Sequence, residues 1–433
     1  MSNLIKAGAL AVLAGIGLAG VFHADEAKAD GAFQIKSADG NFSASVGGRL
    51  EFDGYYDAND NGSKIGSGVA GSDSSDSFRL RRAWLTLTGN VYGFGYHIDY
   101  DFVSSALQRA CFFHGLLPHG TIYLGQSKPW ASLDEIASDT DTPFLERNIA
   151  SASGVNAAAT YTNGVYYSWW NNRLLSEDDN LWLGVSGSSL HKLSTGGTDS
   201  STQGSAFNAR IAYAPIVEKD RWLHLGLSFI NANAAAGSTT AGTNALLASY
   251  VYGNHFDGNE KLTLAGYTVS STGTRPHSNT VGGELAGAFG PGYLQAEYDD
   301  ARFHEAGDPG NTVKAFSVTG ALTLTGETRP YKPDSASYAG ITPSHVYGAW
   351  ELAVRYEKAR NDGNNGVFTG LALPGVKASV ATLDRVTLIS AGVNYYPNSH
   401  VRFMLDYEHG KADLGKAGTD SPNTVEARAQ LVF

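Results

Sequence analysis

The chain is poor in cysteine, methionine and charge. Its 433 residues include one Cys and two Met, and 17% are charged, against 52 Gly, 22 Tyr and 19 Phe. A lone Cys111 cannot close an intramolecular disulfide, and no His/Cys grouping has the spacing of a structural zinc site. Helix formers are thin while Gly, Ser, Thr, Asn and Tyr abound, which disfavours a helical bundle and favours strands and turns. A formal net charge of -11, with no basic stripe interleaved with aromatics, argues against a nucleic-acid partner. From Asp30 onward no apolar run reaches the ~20 residues of a spanning helix. Mean hydropathy of -0.19 suits a soluble protein, but a transmembrane barrel alternates polar and apolar residues and averages the same way.

The N-terminus carries Lys6, an uncharged run from Ala7 to Phe22, and small residues at Ala27-Lys28-Ala29. This is the pattern of a secretory signal cleaved before Asp30, so residues 1–29 are expected to be an address and 30–433 one exported domain.

Short segments of period two fill that domain. Val46, Gly48, Leu50 and Phe52 share one face while Arg49, Glu51 and Asp53 share the other. The same holds for Ala83, Leu85 and Leu87 against Arg82, Trp84 and Thr86, and for Trp350, Leu352, Val354 and Tyr356 against Glu351, Arg355 and Glu357. Soluble sandwiches alternate too. Aromatics near the ends of the apolar faces, such as Phe52, Phe102 and Trp350, instead suit the interfacial girdles of a transmembrane barrel. With strands of ~9–11 residues and about 25 residues per strand and connection, the expected fold is all-β: a single antiparallel transmembrane β-barrel of roughly 16 strands. Eighteen segments qualify by eye, including 156–162 and 261–270. Alternation puts Arg79 and Arg81 on the lipid face, opposite Arg82.

Ser127 to Ala150 lacks alternation but carries Trp130, Leu133, Ile136, Phe144 and Leu145, so it is expected to fold inward and narrow the lumen. Its flanks, Gly125-Gln126-Ser127-Lys128-Pro129-Trp130 and Phe144-Leu145-Glu146-Arg147-Asn148, carry a resemblance. So do Phe78-Arg79-Leu80-Arg81-Arg82-Ala83-Trp84-Leu85, Leu324 to Lys332, Gly348 to Leu352 and the terminal Phe433. In that order these stretches resemble the phosphate-selective porins of Gram-negative outer membranes. The resemblance implies a homotrimer in the outer membrane that passes small anions such as phosphate, with no cofactor. It also implies an anion-binding constriction lined by Arg49, Arg82 and Arg147.

Periodicity independently puts Arg49 and Arg82 on the lumen face. A permanently charged guanidinium offers a planar fork of donors that can replace an oxyanion's hydration, and charge rings set anion selectivity. A second reading is that Arg82 pairs with a lumen carboxylate, Glu51 or Asp53, to satisfy the wall. Two positions depart from the family: Ile136 stands where phosphate-selective relatives carry a lysine, and Gln108 where they carry an aspartate. Residues 194–260 hold only Arg210, Lys219 and Arg221 of the expected basic ladder, with Lys261 just beyond. These departures keep a general, weakly selective porin as the alternative. An enzyme is disfavoured, because no histidine has a nucleophile motif beside it and His97 with Asp99 lacks a third metal ligand. A sugar channel would need lumen aromatics beyond Trp84.

Overall fold

A computed structural model describes residues 33–58, 74–155, 161–190, 204–234, 245–251, 261–268, 276–304, 310–362, 385–413, 419–421 and 423–433. The proposed signal segment and residues 156–160 of the candidate strand 156–162 lie outside the described residues.

Sixteen strands form the wall. They are β1 (Phe42–Ala58), β2 (Ser74–Val91), β3 (Phe94–Asp101), β4 (Ala106–Gly115), β5 (Gly120–Ser127), β6 (Thr162–Asn172), β7 (Asn180–Ser189) and β8 (Ser205–Val217). There follow β9 (Arg221–Asn233), β10 (His277–Phe289), β11 (Gly292–His304), β12 (Asn311–Thr323), β13 (Ala349–Asn361), β14 (Arg385–Tyr396), β15 (Val401–Asp413) and β16 (Asn423–Val432). Each is antiparallel to the next, and β1 also pairs with β16, Arg49 opposite Val432, which closes the barrel. Phe433 completes the seam by exchanging two backbone hydrogen bonds with Gly48, at 2.8 and 3.0 Å. A side chain at Gly48 would strike the Trp84 carbonyl and the Phe433 ring, so this position must be glycine.

Every wall strand coincides with one of the eighteen segments legible in the sequence. Of the two extra segments, Lys261–Thr268 pairs with Ala245–Val251 in a separate two-stranded sheet that is not part of the barrel sheet, because β9 pairs directly with β10. The faces divide as alternation requires: Val354 is 63% exposed on the outside while Glu357 is fully buried in the lumen. Aromatic pairs mark both rims, Trp350 with Tyr395 at one end and Tyr100 with Phe102 at the other.

One assignment changes. Glu51 pairs with Arg82, but the next residue, Phe52, pairs with Leu80, so Arg81 is the extra residue of a β-bulge. The bulge resets parity: Leu80 and Phe78 face outward, and Arg79 stands opposite Asp53 on the lumen side. Arg79 and Arg81 therefore do not belong to the lipid face. A similar bulge displaces Gln108 between β3 and β4, where Gln126 donates to the carbonyls of Leu107 and Gln108, both at 2.8 Å.

Residues 128–155 and residues 324–348 enter the lumen from opposite ends. The first, residues 128–155, follows β5 and contains the helices α1 (Leu133–Ile136) and α2 (Ile149–Val155). The second, residues 324–348, joins β12 to β13 at the end where the other described turns are short.

Candidate anion-binding constriction

A loop inside a barrel must satisfy its backbone groups without bulk water. The wall supplies the partners. Arg402 donates to the carbonyls of Thr140 and Thr142 at 3.1 and 2.7 Å, Arg428 to Leu145 at 3.1 Å and Arg355 to Glu146 at 2.8 Å. Carboxylates take the amides: Glu297 accepts from Asp134, Asp406 from Leu145 and Glu357 from Ile149, at 2.9, 2.7 and 2.6 Å. Leu133, Phe144 and Ile149 are buried between loop and wall.

The second segment docks beneath the first. Trp222 donates to the Arg329 carbonyl at 2.7 Å and Trp182 to the Asp334 carbonyl at 2.9 Å. Lys332 pairs with Asp141 of the first segment at 3.0 Å. Lumen aromatics thus exist beyond Trp84, but Trp182, Tyr166 and Tyr338 are fully buried in packing and form no open track.

The three arginines read from the sequence converge on this assembly. Arg49 and Arg82, neighbours on β1 and β2, both bind the carboxylate of Asp139, Arg82 through Nη2 at 2.9 Å. Arg82 also contacts Glu51 at 2.6 Å, as the pairing reading of this residue expects, whereas Asp53 belongs to Arg428 in a bidentate pair at 2.7 Å. The Arg49 guanidinium lies 3.6 Å from the Trp84 ring centre, which fixes its plane. Arg147 stands apart from that fork, donating to Glu135 at 3.2 Å and to the Ala137 carbonyl at 3.0 Å. Lys128 shares Glu135 at 3.0 Å.

Electrostatics follow from this packing. Burial opposes the charge on Asp139, but Arg49 and Arg82 hold its carboxyl well below the usual range. Burial, then Arg147, lower the Lys128 ammonium to about 8, although Glu135 opposes them. Arg147 is raised by Glu135 against the effect of burial.

Sequence reasoning missed Asp139, Lys128, Arg428 and the second inward segment. Arg428 was accessible, since it lies opposite Ala427 and Ala429 on the final strand. The second segment had a weaker signal: Pro330, Pro333 and Pro343 with Tyr331 and Tyr338 in a stretch without alternation. Ile136 ends α1, half-buried, and brings no charge to the site. His97 and Asp99 pair at 2.9 Å, and among the described residues no group of three or more His, Cys, Asp or Glu could hold a metal.

A closed sixteen-strand barrel with an apolar, aromatic-rimmed exterior, a polar lumen and an inward-folded loop defines an outer-membrane porin, a channel rather than an enzyme. The chain belongs to the phosphate-selective porin O and P family, whose profile matches residues 56–433. It is 28% identical to Porin O of Pseudomonas aeruginosa, covering 94% of this chain and 92% of that one. The fold is similar to the anion-selective porin from Comamonas acidovorans, with a TM-score of 0.52 and 12% identity, covering 90% of this chain and 100% of that one. It is also similar to the channel DcaP of Acinetobacter baumannii, with a TM-score of 0.51 and 13% identity, covering 92% and 99%.

Proposed function

We propose that this porin passes small oxyanions, phosphate among them, through a constriction where Arg49, Arg82 and Arg147 select for negative charge. The observation that carries this reading is the convergence of Arg49 and Arg82 on a single carboxylate. That carboxylate, from Asp139, occupies the place a permeating oxyanion would take. The side chains of Arg82 and Arg147 are 17% and 18% exposed, so both sit in a desolvated setting that the pore still reaches. The net charge of -11 does not oppose this, because carboxylates beyond a Debye length of about 8 Å are screened while the constriction acts locally. Family membership supports the same solute class. The working form is a homotrimer, and residues 1–29 are a cleaved signal.

The test is reversal potential across a planar bilayer in a potassium chloride gradient, followed by phosphate titration of the chloride current. Anion selectivity with phosphate block is the expected result; cation selectivity refutes the reading. Anion selectivity without block would favour the second reading, a general porin of modest anion preference, which the uncharged Ile136 supports.

A further inference from the structure

Asp139 has an unusual situation for an acidic residue in an anion channel. Its carboxylate is the shared partner of Arg49 and Arg82, with Arg147 and Lys128 acting on it as well. The flanking backbone is held elsewhere: Arg402 grips the carbonyls of Thr140 and Thr142, and the Thr142 hydroxyl donates to the Asp139 carbonyl at 3.0 Å. The carboxylate is therefore an anion on a short leash, present at the fork at high effective concentration. It is not sealed in, since its side chain is 15% exposed. Glu51, behind it, is fully buried and repels it.

A group so placed competes with every solute anion. A monovalent ion offers the fork no more charge than Asp139 already does, and it lacks the tether. A divalent oxyanion brings a second charge and more acceptor sites. A buried donor of the fork itself, Arg49 Nε, has no hydrogen-bond partner among the described residues and could receive one of them. We propose that Asp139 is a specificity-determining residue: a tethered counter-anion that holds Arg49 and Arg82 at rest, keeps monovalent anions from occupying the fork, and yields to divalent oxyanions. This inference rests on the reading of the constriction as the anion site.

The experiment compares block of the chloride current by sulfate and by acetate in bilayers containing the full-length porin, its Asp139→Asn and Asp139→Glu variants, and Arg82→Ala. For the unaltered protein, sulfate blocks and acetate does not. Asp139→Asn lowers the half-blocking sulfate concentration about tenfold and makes acetate a blocker, so the ratio between the two collapses. Asp139→Glu keeps the original pattern. Unchanged block in Asp139→Asn, or equal weakening for both ions, overturns the proposal and leaves Asp139 a positioning residue for the arginines. Asp139→Ser serves as a second neutral variant, and failure of both neutral variants to assemble would assign Asp139 a structural role and overturn the proposal as well. If sulfate block is present and lost in Arg82→Ala while the neutral variants keep the ratio, only this proposal fails. If the unaltered channel shows no sulfate block and Arg82→Ala changes nothing, the constriction reading fails with it.

Discussion

The lumen uses arginine in two ways. On β13, β15 and β16, Arg355, Arg402 and Arg428 are buried and spend donors on backbone carbonyls of the inward loop. On β1 and β2, Arg49 and Arg82 make no hydrogen bond to that loop's backbone among the described residues and reach side-chain carboxylates, one of them carried by the loop. A carbonyl of a clamped loop cannot leave, whereas a carboxylate on a rotatable side chain can be exchanged for a solute anion. Lumen-facing parity is common to both groups and cannot tell them apart; the partner does.

Removing a clamp has the largest expected effect. Arg428→Met leaves Asp53, which is buried, without its bidentate partner, while Glu51 keeps Arg82. Breaking a buried pair from one side costs about 3–5 kcal/mol. Denaturant unfolding of the refolded barrel should show that loss, and a change under about 1 kcal/mol would contradict the division drawn between the two walls.

Arg82→Ala should act on selectivity first. It removes one cation from a fork whose carboxylates, Glu51 and Asp139, remain, so the reversal potential should move toward cation preference. Arg147→Ala should weaken anion preference less, because Lys128 still offsets Glu135. An unaltered reversal potential in either variant would move that arginine from the selecting group to the clamping group.

A smaller effect should come from pH. Lys128 is lowered to about 8 by burial and by Arg147, so it is charged below that pH and neutral above it. Raising pH from 7 to 9 therefore removes one positive charge beside Glu135, and anion preference should decline through about pH 8. Lys128→Met should abolish this step. A step that survives in Lys128→Met belongs to another group.

Much of the wall was legible because a strand with one wet face writes its orientation into every second residue. All sixteen wall strands were visible this way. Alternation fails where a residue is inserted: the bulge at Arg81 preserves both local patterns and changes only their relation, which no composition records. The constriction was half legible. Parity put Arg49 and Arg82 on the lumen face, and resemblance pointed to all three arginines of the proposed site. Asp139 lies in a stretch without period, and its meeting with β1 and β2 depends on clamps from β15 and β16, hundreds of residues away. The hairpin Ala245–Val251 with Lys261–Thr268 shows the converse, a good strand signal with no place in the wall.

The smallest expected effect is the control that gives the comparison its meaning. Arg302 on β11 pairs with Asp300 two residues away at 2.8 Å, and its side chain is 62% exposed. Water and salt screen such a pair, and holding two side chains together offsets most of its attraction. It touches neither the loop backbone nor the fork. Arg302→Ala should therefore leave the unfolding midpoint, conductance and reversal potential where they are. A shift in reversal potential comparable to that of Arg82→Ala would mean that charge at the rim governs selectivity as strongly as charge at the constriction, and the distinction between clamping and selecting arginines would lose its functional weight.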